Sequence, residues 1–350
     1  MKTKAKAFKL TARFLGFLLI FITVYLSLSA VFTPKRDDEP EGMSNNILYP
    51  YRGEEKDTLD IIFIGNSDVA RGINPIYIWD NYKITSCTSG PPAVNYKTVF
   101  KHIKDACKNQ SPKVIVLEVD CLFGASNKYY KLINEEYEKK KSKAPSLGEM
   151  PAELDEQIVS GLAFYWPIMK YHDRWKELSA EDFTNLQGRF KYSAKGYMYT
   201  NEVTPFKYGN EYMSDKTDAA TEISGEKRSG IDEIVSFCKE RGITLTLLSI
   251  PSGSSWSVKK HNAIEGLARE LGLDFVDYNR NPGLLDSFNW ETDTKDGGNH
   301  MNYSGATKVT AAYSAHLVKL LALQPTALSE KQKKSWDKDS KIFHKEIVKE

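Results

Sequence analysis

Ser67 is the first residue in this chain that could do chemistry. It closes the run Leu59-Asp60-Ile61-Ile62-Phe63-Ile64-Gly65-Asn66-Ser67, where an isoleucine-rich apolar stretch stops at a glycine and two small polar residues. Such a run reads as a buried strand ending in a tight turn. A serine there lies at the carboxyl end of the strand, where open α/β sheets bind ligands. A serine hydroxyl becomes a nucleophile only beside a base that can take its proton. The candidate base is far away in sequence. In Asp296-Gly297-Gly298-Asn299-His300-Met301-Asn302, two glycines let the loop fold back, so that a carboxylate can reach Nδ1 of His300 and leave Nε2 for a hydroxyl. Asp296 is the expected orienting group, and Asp293 is the alternative. Nucleophile early, acid and base late, is the layout of a serine triad.

The elements that must position these groups alternate strand and helix. Residues 59–64 form the first strand, Asn95 to Lys108 a helix, Val114 to Val119 a second strand, and Ile231 to Arg241 a helix closed by Gly242. Ile243 to Pro251 is a third strand, Lys259 to Leu271 a helix stopped by Gly272, Asp274 to Tyr278 a fourth strand, and Tyr303 to Leu323 a final helix. Strand, crossover helix, strand predicts a parallel sheet covered by helices. Residues from about Phe123 to Tyr208 break that rhythm and read as an insertion capping the site, with a charged helix around Asn134 to Lys143. Within that helix Lys139-Lys140-Lys141 follow Glu135, Glu136 and Glu138, the pattern of a solvated face. The tail from Ser329 is strongly charged and is expected to lie on the surface or fray.

Before the domain, Phe14 to Phe32 carries no charge and approaches bilayer-spanning length. Lys2, Lys4, Lys6, Lys9 and Arg13 precede it without one acid, so the positive-inside rule places residues 1–13 in the cytoplasm, 14–32 in the membrane and the rest outside. A signal peptide cleaved near Ser27-Leu28-Ser29 is the rival. Residues 33–57, with Pro34, Pro40 and Pro50, read as a stalk, 58–328 as the extracytoplasmic domain, and 329–350 as its charged tail.

A net charge of +2 gives no electrostatic support for nucleic-acid binding. Cys87, Cys107, Cys121 and Cys238 show no metal-type spacing; disulfides are permitted outside the membrane, but small buried hydrophobes are the preferred reading. No phosphate-cradling glycine pattern appears. Neither a metal nor a cofactor is expected.

Phe63-Ile64-Gly65-Asn66-Ser67, Gly72-Ile73-Asn74-Pro75 and Asn299-His300-Met301-Asn302-Tyr303-Ser304-Gly305-Ala306 together resemble the SGNH/GDSL hydrolases. Within them they are most similar to the membrane-anchored bacterial group that includes the D-alanine transfer protein of teichoic acid modification, a likeness shared by Tyr171 to Leu178. The resemblance implies a three-layer α/β/α, flavodoxin-like fold, with Ser67 as nucleophile, His300 as base, Asp296 as orienter and the Gly90 N–H in the oxyanion hole. His172, Arg174 and Asn302 are the implied substrate contacts, although Arg174 could equally pair with Asp173 or Glu177. It further implies a cell-envelope polymer as substrate and a membrane-bound acyl exporter as partner. Three departures stand out: Gly-Asn-Ser replaces Gly-Asp-Ser, Asp296 to His300 is one residue longer than Asp-x-x-His, and Asp120-Cys121-Leu122-Phe123 stands where an oxyanion asparagine is expected. The rival class is a non-catalytic glycan-binding or assembly subunit of the same fold.

Overall fold

The computed structural model describes residues 2–33, 48–92, 94–124, 168, 171–184 and 191–348. Most of the stalk and the proposed helix with the Lys139 cluster lie outside these residues. The chain divides into two compact units, residues 1–35 with 132–190 and residues 36–131 with 191–350. Residues 191–208, read above as part of the insertion, therefore belong to the same unit as the sheet.

In the first unit helix α1 runs Lys2–Phe32. Its segment Lys9–Phe32 has a mean hydropathy of 2.4 and is long and apolar enough to cross a membrane. At 1.5 Å per residue it exceeds the roughly 30 Å of a bilayer core. The helix begins at Lys2, so the basic N-terminus continues the same helix.

The second unit holds a five-stranded parallel sheet of order β2-β1-β3-β4-β5, the order of flavodoxin-like folds. Its elements follow in sequence as β1 (Ile61–Ile64), α2 (Ser67–Gly72), α3 (Pro75–Tyr82), β2 (Ser86–Ser89), α4 (Tyr96–Ala106) and β3 (Val114–Glu118). After the inserted region come α5 (Gly225–Glu240), β4 (Thr244–Ser249), α6 (Val258–Leu271), β5 (Asp274–Asp277), α7 (Tyr303–Leu321) and α8 (Glu330–Ile342). Side chains alternate across each strand. Ile61, Phe63, Val114, Val116 and Leu248 pack with Val69, Ile76, Val309 and Tyr313 of α2, α3 and α7 on one face. Ile62, Ile64, Ile115, Leu117 and Leu247 pack with Val99, Ile103, Ile231 and Ile264 of α4, α5 and α6 on the other. These are the three layers.

Local chemistry sets the helix starts. Asn74 accepts the Ile76 and Tyr77 amides ahead of Pro75, and Asn95, Ser224, Ser257 and Asn302 cap α4 to α7 in the same way. The tail does not fray. Ser329 and Gln332 form a capping box that starts α8, and Trp336, Asp339, Phe343 and Ile347 are buried on the domain. Most of the charges that suggested a surface tail lie on the outer face of that helix, while Asp339 points inward to the buried Lys195. All four cysteines are free thiols, three of them buried, which agrees with their reading as small hydrophobes.

Candidate active site

The candidate nucleophile stands where β1 gives way to α2. Asn66 caps α2 by accepting the Asp68 amide at 2.8 Å, which sets Ser67 as the first helical residue beyond the strand end. His300 comes from a small hairpin leading into α7. Thr294 and Met301 bridge antiparallel, and the Lys295 N–H donates to the His300 carbonyl at 3.0 Å. Between them the chain turns through Gly297 (φ 73°) and Gly298 (φ 90°), both in the left-handed region. That turn accommodates the extra residue of the Asp296–His300 spacing. It returns the Asp296 carboxylate onto His300 twice: Oδ1 accepts the His300 backbone N–H at 2.7 Å, and Oδ2 accepts Nδ1–H at 2.6 Å.

A carboxylate only accepts, so Nδ1 carries the ring proton and Nε2 is a bare acceptor. The Ser67 hydroxyl donates to that nitrogen at 2.8 Å across 233 residues of sequence. Burial works to raise the Asp296 pKa, but the two hydrogen bonds from His300, with the Lys295 charge nearby, hold it below the ordinary carboxylate range. Ser67, His300 and Asp296 are thus brought together in one hydrogen-bonded chain. Asp293 is not. It is wholly buried, accepts from Asn289 N–H, Ser304 Oγ and Lys308 Nζ, and serves to fix the hairpin to α7.

Gly90 lies against the turn that carries Ser67. A methyl group on it would sit 2.4 Å from the Asn66 carbonyl and 2.8 Å from Ala70, so only glycine lets the end of β2 approach this closely. Asn302 is a correction to the sequence reading. It is 2 % exposed, its Oδ1 accepts the Gly305 amide, and its Nδ2 donates to the Glu202 and Thr292 carbonyls. Its side chain is committed to the start of α7 and has nothing left for a substrate. Arg174 lies in the first unit, where it donates to the Phe32 carbonyl at 2.6 Å and pairs with Asp182 at 3.2 Å and Glu177 at 3.8 Å. Of the two pairings weighed from sequence it has Glu177, with Asp182 as its closer acid. The His172 side chain lies outside the described residues.

Two acids beside the candidate site escaped the sequence reading. Just before the stretch where an oxyanion asparagine is expected, β3 ends in Glu118, which is 1 % exposed and accepts the Asp120 amide at 2.6 Å and the Asn66 amide at 3.4 Å. Asp68, the residue after the nucleophile, places Oδ1 3.8 Å from His300 Nε2. Burial pushes the Asp68 carboxyl up to about 7, against the pull of His300, and burial with the nearby Asp68 and Asp120 charges lifts Glu118 well above the carboxylate range. The signal for both was visible: an acid directly after the serine, and a charged residue closing an otherwise apolar strand.

The sign of the resulting pH dependence follows from linkage. Below about pH 4 Asp68 is protonated whether the chain is folded or unfolded, and it contributes nothing. Between about 4 and 7 the unfolded chain has lost a proton that the folded one still holds, so stability falls as pH rises through this window. Asp68→Asn is expected to flatten that fall and to raise the urea midpoint at pH 8, by an amount on the order of a few kcal/mol at 1.4 kcal/mol per pH unit. Urea titrations of both proteins from pH 4 to 8 check this; parallel curves would show that Asp68 is ionised throughout.

Comparison with known proteins adds little to this geometry. No family model matches the chain, and no curated protein matches it. Among solved structures it is similar to a Bacteroides fragilis protein described as a candidate acylhydrolase, with 12 % identity and a TM-score of 0.36 over 81 % of this chain and 99 % of that one. A likeness at that level assigns no activity, and the site rests on its own residues.

Proposed function

We propose that this chain is a serine acyl-transfer enzyme of the SGNH type, anchored by α1 with its sheet unit outside the membrane, and that it acts on esters of a cell-envelope polymer. The supporting observation is the continuous chain from the Ser67 hydroxyl through His300 to Asp296. In the first half-reaction Oγ attacks the ester carbonyl while its proton passes to Nε2. The tetrahedral oxyanion collapses, the C–O bond to the leaving alcohol breaks, and that oxygen takes the proton from Nε2. In the second half a water or sugar hydroxyl gives its proton to Nε2, attacks the acyl-serine and leaves as acid or new ester, with Oγ reprotonated. Asp296 stays ionised throughout and steadies the imidazolium formed in each half. A membrane-bound acyl donor beside α1 would fit the transferase form of this cycle.

The test is covalent. Full-length protein in detergent should take one fluorophosphonate label, and Ser67→Ala should take none. An unlabelled wild type, or a label that survives Ser67→Ala, would leave the fold as a non-catalytic binding subunit. With labelling established, polymer acyl content in cells carrying Ser67→Ala separates the two chemistries: a fall means transfer, a rise means hydrolysis.

A further inference from the structure

Next to the hairpin loop that carries Asp296 and His300 lies an aromatic cleft that no step of the proposed cycle uses. A cleft of about 590 Å³ is lined by Phe206, Lys207, Tyr208, Glu211, Tyr212 and Ser254, together with Gly297 of the hairpin loop that carries Asp296 and His300. That volume falls within the roughly 300–1,000 Å³ of small-molecule sites. Its floor is rigid. Phe206 packs edge-on against Tyr208 and Tyr212 and at a tilt against Trp290, with ring centroids 5.1–5.8 Å apart. The polar tips of Tyr212 and Trp290 are tied to Asn279 at 2.7 Å and Asn210 at 2.6 Å. Phe206 also lies so close to Gly253 and Gly298 that a methyl group on either would meet its ring at 2.2 or 2.5 Å. Ser254 donates to the Gly298 carbonyl through its amide and to Asn299 Oδ1 through its hydroxyl. The cleft and the hairpin loop are therefore one packed body, and a ligand seated in the cleft is held against Gly297, the residue after Asp296.

Tyr208 rises from this floor 66 % exposed, one edge of its environment set by Phe206 and the rest of the ring open to a ligand. Lys207 and Glu211 flank it and enter no ion pair among the described residues. We infer that this cleft is the acceptor subsite and that its ligand is a neutral carbohydrate chain, one pyranose stacking on Tyr208 with its hydroxyls directed to Lys207, Glu211 and Ser254. An acyl chain would call for a closed apolar slot, which an open cleft edged by a lysine and a glutamate does not provide. A polyanion would call for an excess of cations, and here the two charges cancel. A sugar ring has apolar C–H faces and a polar rim, the same division that the cleft shows. The inference rests on the acyl-transfer reading above, because the cleft shares with the base the hairpin loop that carries it, and an acceptor hydroxyl must be brought to that base.

The experiment is an oligosaccharide array carrying neutral, uronic-acid and phosphorylated chains, probed with the full-length Ser67→Ala protein in detergent so that nothing turns over. Saturable binding to a neutral oligosaccharide is expected. Adding Tyr208→Ala should weaken it at least tenfold, and adding Tyr208→Phe, which keeps the ring, should restore it to within about threefold. Binding confined to the anionic chains, no saturable binding, or equal affinity with Tyr208→Ala would overturn the proposal. The two readings fail separately. Fluorophosphonate labelling of Ser67 without Tyr208-dependent sugar binding removes the subsite and leaves the enzyme; sugar binding through Tyr208 in a protein that takes no label removes the enzyme and leaves a glycan-binding cleft.

Discussion

Replacing Asp296 with Asn should lower kcat for a p-nitrophenyl ester about ten-thousand-fold while leaving the fold intact. The reason is a tautomer. Asp296 takes both the backbone N–H and the Nδ1–H of His300. An asparagine there can keep one carbonyl acceptor but must turn an NH2 toward the other donor. The imidazole relieves that clash by moving its proton to Nε2, where it faces the Ser67 hydroxyl as a donor and can no longer accept. Loss of the correct tautomer in a serine triad costs about this factor even when geometry is preserved. The contrast with Asp293→Asn decides which carboxylate matters. Asp293 is bound to the Asn289 amide, Ser304 and Lys308 rather than to the imidazole. Its replacement should lower the unfolding free energy by about 1–3 kcal/mol and change kcat by less than tenfold. Steady-state rates and urea midpoints for both variants are the measurement; the opposite pattern would move the orienting role to Asp293.

The sequence was legible where a residue's local neighbours determine its state. β1, β3 and β4 were visible because each is a short apolar run with both faces buried, β5 through Phe275-Val276 behind the Gly272 stop, and α4 to α7 through apolar spacing, helped for α5 and α6 by a closing glycine. β2 was hidden because Ser86-Cys87-Thr88-Ser89 has no apolar alternation. It holds its place through remote groups: the Ser89 hydroxyl donates to the Leu48 carbonyl and meets His102, and the Thr88 amide donates to the Lys195 carbonyl. α2 and α3 are too short for periodicity, although Asn74-Pro75 is a clear start signal in hindsight. Within the candidate site, Ser67, His300 and Asp296 could be found because each residue type has a narrow set of chemical uses. Asp68 and Glu118 left only a trace, an acid after the serine and a charge closing an apolar strand, because their state comes from burial beside these residues, which only the packing of β3 against the β1 turn creates. Asn302 misled for the same reason: an asparagine next to a catalytic histidine and one capping a helix look alike until the hydrogen bonds are counted.

Away from the site, the largest expected loss of stability comes from one lysine. Lys195 is 1 % exposed and donates at 2.7 Å to Glu54, which precedes β1, and to Asp339 of α8, with its ammonium 4.3 Å above the Trp336 ring. Burial alone would lower its pKa, but the two carboxylates outweigh that and hold it above its ordinary value, charged. Removing one member of such a buried group leaves opposite charges stranded where water cannot reach them. Lys195→Met keeps the stem and the packing against Trp336 and deletes only the charge, so it isolates that term. It should cost about 3–5 kcal/mol, toward the lower end because Lys191 stands 3.5 Å from Glu54 and 3.8 Å from Asp339 and remains to screen them. Adding Asp339→Asn to Lys195→Met should recover part of the loss, since it removes one of the stranded charges; independent sites would instead add their losses. Urea midpoints for the single and double variants read both effects. A cost below about 1 kcal/mol for Lys195→Met would mean that α8 is held by Trp336, Phe343 and Ile347 alone, and that the ionic cluster selects the site where the C-terminal helix docks without strengthening it.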